Sequence, residues 1–267
     1  MVLGMRTLAV ALAAFSSVIG VLFALIALYE FLRVSASQDN LAAVGAGLGL
    51  IAFGAVLYRL VDWADSKTTA YFHRELSERR LRNPTAILDI DVGRDRLLVT
   101  KDAVAFQGRT IPVSEVSRIR FRNTLLTVNF VESFTRDVTL AGAFGKMTID
   151  CGPKVGNEYR SRLTFETVMQ AVWSSVCLPM LARWRSKLAA GVSIKVRRIT
   201  ITAGGLVLRG GGFFGLRAVF TPWADLKFEV SNGRLRLWSS TSAGLGQLNL
   251  TDYNAMLVHA LVTAMAA

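Results

Sequence analysis

Asp89 and Asp91 stand two apart in Leu88-Asp89-Ile90-Asp91-Val92, the Asp-x-Asp spacing of a phosphatase site. Such a site sits at the end of a parallel strand in an α/β sheet, and nothing after Asp91 alternates strand with helix. A calcium loop is excluded as well, because Gly93 comes one position early and Thr100 stands where a bidentate Glu is needed. Strand alternation that leaves both carboxylates on a wet face is the plainer reading. Phosphatase-like chemistry on Asp89 and Asp91 stays only as an alternative. His73 and His259 are the sole histidines, and neither has Cys or a second His at zinc-ligand spacing. Cys151 and Cys177 are far apart and read as reduced, structural thiols. The triple glycine at 210–212 is followed by no Lys-Ser/Thr and no helix, so it is no phosphate loop. No catalytic residue, metal or cofactor is expected.

Two features suit binding better than catalysis. Arg118, Arg120 and Arg122 alternate with Ile119 and Phe121, which puts the three cations on one face of a strand. Lys195 with Arg197, and Arg234 with Arg236, repeat the pattern later in the chain. Such rows form either a solvated strand face or a surface for anionic headgroups or an acidic partner. Phe213 and Phe214 follow the glycines and read either as a plain hairpin tip or as an exposed contact pair.

These residues must be positioned by elements that change character along the chain. Residues 7–29 and 41–58 are charge-free and apolar, with a short connector between them. A helix needs about 20 such residues to cross a hydrocarbon core of about 30 Å, so a two-helix transmembrane hairpin is expected. Lys and Arg favour the cytoplasmic side. The connector offers only Arg33, against Arg59, Lys67, Arg74, Arg79, Arg80 and Arg82 after the second run and Arg6 before the first. That bias implies a multi-pass inner-membrane protein with both termini cytoplasmic, and Tyr58 and Trp63 suit the interface. Of the net charge of +12, the first 61 residues hold only +1, from three arginines against Glu30 and Asp39. The rest of the chain is strongly basic, yet it shows none of the usual nucleic-acid signatures, so no nucleic-acid partner is expected.

Residues 62–82 read as a helix, stopped at Asn83-Pro84. From residue 86 the period becomes two, with short strands expected at 87–92, 96–100, 103–107, 116–122, 125–131, 137–140 and 146–151. The period then returns to 3.6, with an apolar stripe from Phe165 to Trp184 and a kink or break expected near Pro179. Glu166 and Gln170 inside that stripe favour an amphipathic helix over a third span. After Gly191 strands are expected again at 193–202, 206–209, 217–221, 226–230, 234–239 and 245–248. A helix over 252–266, with Thr251 as N-cap, closes the chain.

The two stretches correspond residue by residue. Ile111-Pro112-Val113-Ser114-Glu115-Val116 answers to Thr221-Pro222-Trp223-Ala224-Asp225-Leu226, and Glu158-Tyr159 answers to Asp252-Tyr253. Here residues 86–267 resemble the bacterial pleckstrin-homology-like modules found in small membrane proteins, the second copy more closely. The resemblance implies an open β-barrel capped by one helix in each copy, and a binding or assembly role with no reaction. The expected plan is therefore a transmembrane hairpin (1–61), a juxtamembrane helix (62–84) and two modules (85–190 and 191–267). The expected function is a non-enzymatic, membrane-anchored scaffold that binds a protein partner or itself. Recognition of anionic lipid through Arg118, Arg120 and Arg122 is the alternative.

Overall fold

The computed structural model describes residues 19, 21, 38–128, 131–152, 158–209, 218–241 and 245–266. The chain divides into two compact units, 1–75 with 153–160, and 76–152 with 161–267. Among the described residues of the first unit, a hydrogen bond of 2.8 Å joins Thr69 Oγ1 and Tyr159 Oη, and an ion pair of 3.0 Å joins Arg160 to Glu75.

The second apolar run and the expected juxtamembrane helix form one unbroken helix, α1 (Gln38–Arg82). It ends where Pro84 constrains Asn83, whose N–H closes the last turn on the Arg79 carbonyl at 3.0 Å. Arg79, Arg80 and Arg82 in that turn suit the negative end of the helix dipole. Among the described residues, no helix is long and apolar enough to cross a membrane. In α1 the apolar sequence 41–58 is followed at once by Arg59, Asp62, Asp65 and Lys67 in the same helix, whereas a span needs about 20 uninterrupted residues. This overturns the expected transmembrane hairpin and the multi-pass inner-membrane placement with cytoplasmic termini that followed from it. The first run, 7–29, lies outside the described residues apart from two isolated positions.

The second unit is α+β, built on four small antiparallel sheets. Strands β1 (Leu88–Val92), β2 (Asp95–Val99), β3 (Ala103–Phe106) and β4 (Arg109–Pro112) form a meander. A 3-10 turn at Val113–Glu115 leads into a second meander of β5 (Val116–Val128), β6 (Val131–Gly142) and β7 (Gly145–Asp150). The helical segment comprises α2 (Glu158–Val172), a π turn at Trp173–Cys177 and α3 (Leu178–Ala189). The same order recurs in β8 (Ile194–Val196), β9 (Ile199–Thr202), β10 (Gly205–Arg209) and β11 (Ala218–Pro222), a 3-10 turn at Trp223–Asp225, then β12 (Leu226–Ser231), β13 (Arg234–Ser239) and β14 (Leu245–Asn249), and finally α4 (Ala255–Met265). Among the described residues no strand pairing joins one sheet to another, so the expected open β-barrels are corrected to separate small antiparallel sheets.

Each meander buries alternate residues. Leu97, Val99 and Val104 in the first sheet, and Val138, Leu140 and Ile149 in the second, are inaccessible to solvent. The stripe of Phe165, Val168, Val172, Val176, Cys177, Met180, Leu181 and Trp184 is buried as well. Each such side chain contributes about 1.5–3 kcal/mol through removal from water. Near Pro179 the helix widens rather than breaks. The Leu178 N–H bonds the Trp173 carbonyl five residues back, and Pro179, which has no N–H to give, sits in the first turn of α3 where none is required.

Three expectations of local structure are corrected here. The strands placed at 116–122 and 125–131 are one strand, β5, which runs through Asn123 and pairs with β6 up to Val128↔Val131. The strand placed at 193–202 is a hairpin turned at Arg197, which adopts φ +51. The last helix begins at Ala255, with Asn254 rather than Thr251 at its N-terminal boundary.

Candidate functional site

The Asp pair is committed to structure. Asp89 is buried, against the expectation of a wet face, because β1 is covered on both sides except at Asp91. Its Oδ1 accepts 2.8 Å from Arg96 Nε, while Arg96 Nη2 holds Oδ2 and Arg79 Nη1 lies 3.7 Å from Oδ1. Arg79 also clamps both oxygens of Asp91. The hydrogen bond from Arg96 holds the Asp89 carboxyl below its usual range; burial opposes this, and the charges of Arg96 and Arg79 reinforce it. An unfolded chain therefore takes up this proton first as pH falls, so the pair's contribution to stability is full above the ordinary carboxylate range and is lost below it. Urea midpoints measured from pH 6 down to pH 2 are expected to fall less steeply below about pH 4 in Asp89→Asn than in the wild type. Parallel curves would show that this carboxylate is not coupled to folding.

The thiols are equally unsuited to nucleophilic work. Burial pushes Cys177 up to about 12, and burial with the charges of Asp150 and Asp137 pushes Cys151 to about 12 as well, so neither carries a thiolate near neutral pH. Among the described residues no group of His, Cys, Asp and Glu could hold a metal ion. Tyr58 and Trp63 lie exposed on α1, with Lys67 Nζ 5.7 Å from the Trp63 ring. Phe213 and Phe214 lie outside the described residues.

The arginine row is where the structure gathers side chains. Arg183 of α3 fastens the start of β5, donating to the carbonyls of Ser114 at 2.5 Å and Val116 at 3.1 Å. An irregularity between Val116 and Arg118 sets the phase of the rest of the strand. Ile119 and Phe121 then face the core while Arg118, Arg120 and Arg122 share the other face. The register puts Asp137 of β6 directly opposite Arg122, and Thr139 opposite Arg120. Asp137 is 98% shielded; its Oδ2 accepts 2.6 Å from Arg122 Nε, and its Oδ1 lies 3.5 Å from Arg120 Nη2. Thr139 Oγ1 donates to the same Oδ1 at 3.2 Å. The guanidinium groups of Arg118 and Arg120 stand over the Tyr253 ring, at 5.6 and 5.3 Å. Two of the three cations, Arg120 and Arg122, thus share one carboxylate, Arg118 stands over the Tyr253 ring, and Arg120 Nε is buried with no hydrogen-bond partner among the described residues.

Beside the row, Asn254 touches the outer edge of β5. Its backbone N–H donates to the Ile119 carbonyl at 2.6 Å, and its Oδ1 accepts the Ile119 N–H at 2.8 Å. Its Nδ2 donates to the Ser117 carbonyl at 3.2 Å. Asn254 stands in the left-handed region at φ +63, a conformation that Asn tolerates better than most residues. It therefore plays the part of a strand residue paired with Ile119.

The rows expected in the second copy do not gather in this way. Arg197 sits at a turn and pairs with Asp252 at 2.8 Å, beside a cleft of about 390 Å3 that Arg198, Gln247 and Asn249 also line. Arg236 lies opposite Glu229 on the neighbouring strand. Comparison of the chain with protein-family models, with curated proteins and with solved structures gives no match. The geometry of β5 and its surroundings therefore carries the functional reading.

Proposed function

We propose that this chain is a non-enzymatic interaction protein whose tandem sheet-and-helix halves bind a protein partner. The observation that carries this reading is the β5 face, where three guanidinium groups stand in a row and only two of them, Arg120 and Arg122, share the one carboxylate of Asp137 while Arg118 lies over the Tyr253 ring. A surplus of fixed positive charge next to an aromatic ring suits recognition of an acidic surface. The residues that could have supported catalysis, Asp89, Asp91, Cys151 and Cys177, are tied up in ion pairs or buried as thiols. The resemblance of residues 86–267 to bacterial pleckstrin-homology-like modules adds to this, since it implies binding or assembly and no reaction.

Arg118 is the residue to test, because it is exposed and contributes to the row through Tyr253 alone among the described residues. Native purification of the full chain is expected to recover a protein partner in fixed stoichiometry. Arg118→Glu is expected to lower the recovery of that partner at least tenfold while leaving the circular dichroism spectrum unchanged. A chain that purifies alone, or a complex indifferent to the substitution, would overturn the reading.

A further inference from the structure

In an antiparallel strand the N–H and C=O of one residue point to the same side, and those of the next residue point to the other. The two groups of Ile119 point away from β6, since both are taken by Asn254. From Arg118 to Val128 the β5–β6 register runs without a shift, so the alternation carries forward without a change of phase. The backbone groups of Phe121, Asn123 and Leu125 therefore point outward along the same edge. Among the described residues nothing pairs with them: β5 is the outermost strand of its sheet, and the backbone contacts on its outer side stop at Ile119. The edge is also long, because β7 pairs with β6 only as far as Asp137, so that the far half of the β5–β6 hairpin stands as a two-stranded ribbon. Such a ribbon is marginal until a third strand or another cover is added.

We infer that this edge receives an extended segment of a partner protein as an added antiparallel strand, with acidic residues at alternate positions facing Arg120 and Arg122. This deepens the interaction reading above and rests on it. Main-chain bonds to Phe121, Asn123 and Leu125 supply the register, and the arginine face supplies the choice of partner. The inner side of the same strand already shows the match. Asp137, on the neighbouring strand and directly opposite Arg122, reaches both Arg122 and Arg120. An acidic residue arriving from the outer side meets Arg122, whose side chain is 40% exposed, and lies one alternate position from Arg120, whose side chain is 22% exposed. Asn254 shows that the edge accepts a strand-like partner in register, and it sets one end of the space an added strand can occupy.

The test uses the full chain and three labelled peptides, read by fluorescence anisotropy at low salt. An alternating Glu-Val peptide is expected to bind, and a Lys-Val peptide of equal length to bind at least tenfold more weakly. In the bound register the valines lie opposite Phe121, Asn123 and Leu125, so their N–H groups are the ones that meet β5. A Glu-Val peptide N-methylated at valine should therefore lose at least tenfold in affinity, whereas one N-methylated at glutamate should bind like the parent. Leu125→Pro removes an outward N–H without removing a bond to β6, and it should weaken the parent peptide to a similar degree. Equal binding of the Lys-Val peptide, or full binding of the valine-methylated one, overturns strand addition with no protein variant involved. A native partner that depends on Arg118 but is retained by a folded Leu125→Pro chain overturns it too, while leaving the interaction reading in place.

Discussion

Replacing Asp137 by Ala is expected to lower the unfolding free energy by about 3 kcal/mol, the lower end of the range for breaking a buried ion pair. The carboxylate is 98% shielded and serves three donors, Arg122, Arg120 and Thr139. Its removal leaves two cations facing each other across a gap with no anion between them. The cost stays at the lower end because the Arg122 side chain is 40% exposed and can turn its head to water. Arg120, at 22%, has less room to do so. Urea titration with an unchanged slope checks the size. Asp137→Asn, which keeps an acceptor and the shape but not the charge, should lose about half as much. If the loss comes from the shared pairing, Arg122→Gln combined with Asp137→Asn should cost less than the two single losses added together. A wild-type midpoint in Asp137→Ala would mean that the arginines are held by Tyr253 and the sheet alone.

How much of this arrangement could be read from the sequence depends on one turn. The alternation of Arg118, Arg120 and Arg122 with Ile119 and Phe121 was legible because a strand exposes every second residue to the same face. The carboxylate that answers them was not, because Asn123 reads as a turn residue and the strand was divided there. With the hairpin instead turning beyond Val128, the pairing falls at once on Arg122↔Asp137 and Asn123↔Arg136. Arg136 was missed for the same reason. It is buried, with Nε 3.2 Å from Asn123 Oδ1, Nη1 3.3 Å from Ser161 Oγ and its guanidinium 4.5 Å from the Phe134 ring. Asp89 failed in a different way. Alternation assigned it to water, but Arg79 from the end of α1 and Arg96 from β2 converge on it, and neither contact is encoded in the period of β1. Tyr253 and Asn254 come from the far end of the chain, more than a hundred residues from β5. No local pattern connects them to Ile119; only the left-handed tolerance of Asn offers a hint, and that tolerance is shared by every turn Asn in the sequence. The apolar run at 41–58 was legible as helix, but the charges that follow it belong to the same continuous helix, and a hydropathy reading that stops at Tyr58 cannot anticipate that.

Asn254→Ala is expected to cost about 3 kcal/mol, from two separable sources. An alanine held at φ +63 costs about 1 kcal/mol or more relative to a residue that tolerates the left-handed region. Loss of the side chain also strands the Ile119 N–H, whose one acceptor among the described residues is Asn254 Oδ1, and removes the bond to the Ser117 carbonyl; a buried unsatisfied donor adds about 1–3 kcal/mol. Asn254→Gly separates the two. It restores the backbone freedom without the hydrogen bonds, so it should recover roughly the first part and leave a deficit of about 2 kcal/mol. If Gly and Ala lose equally, the left-handed backbone contributes nothing; if Gly matches the wild type, the strand mimicry contributes nothing. Hydrogen exchange of the Ile119 amide gives a local check, since its protection should fall in both variants while that of Leu140, on the opposite strand, changes only with global stability. The same substitution bears on the open edge. With Asn254 Oδ1 gone, the outward N–H of Ile119 joins those of Phe121, Asn123 and Leu125 as an available donor, so the Asn254→Gly chain should bind the Glu-Val peptide more tightly than the wild type, whereas a peptide bound elsewhere on the arginine surface would bind both alike.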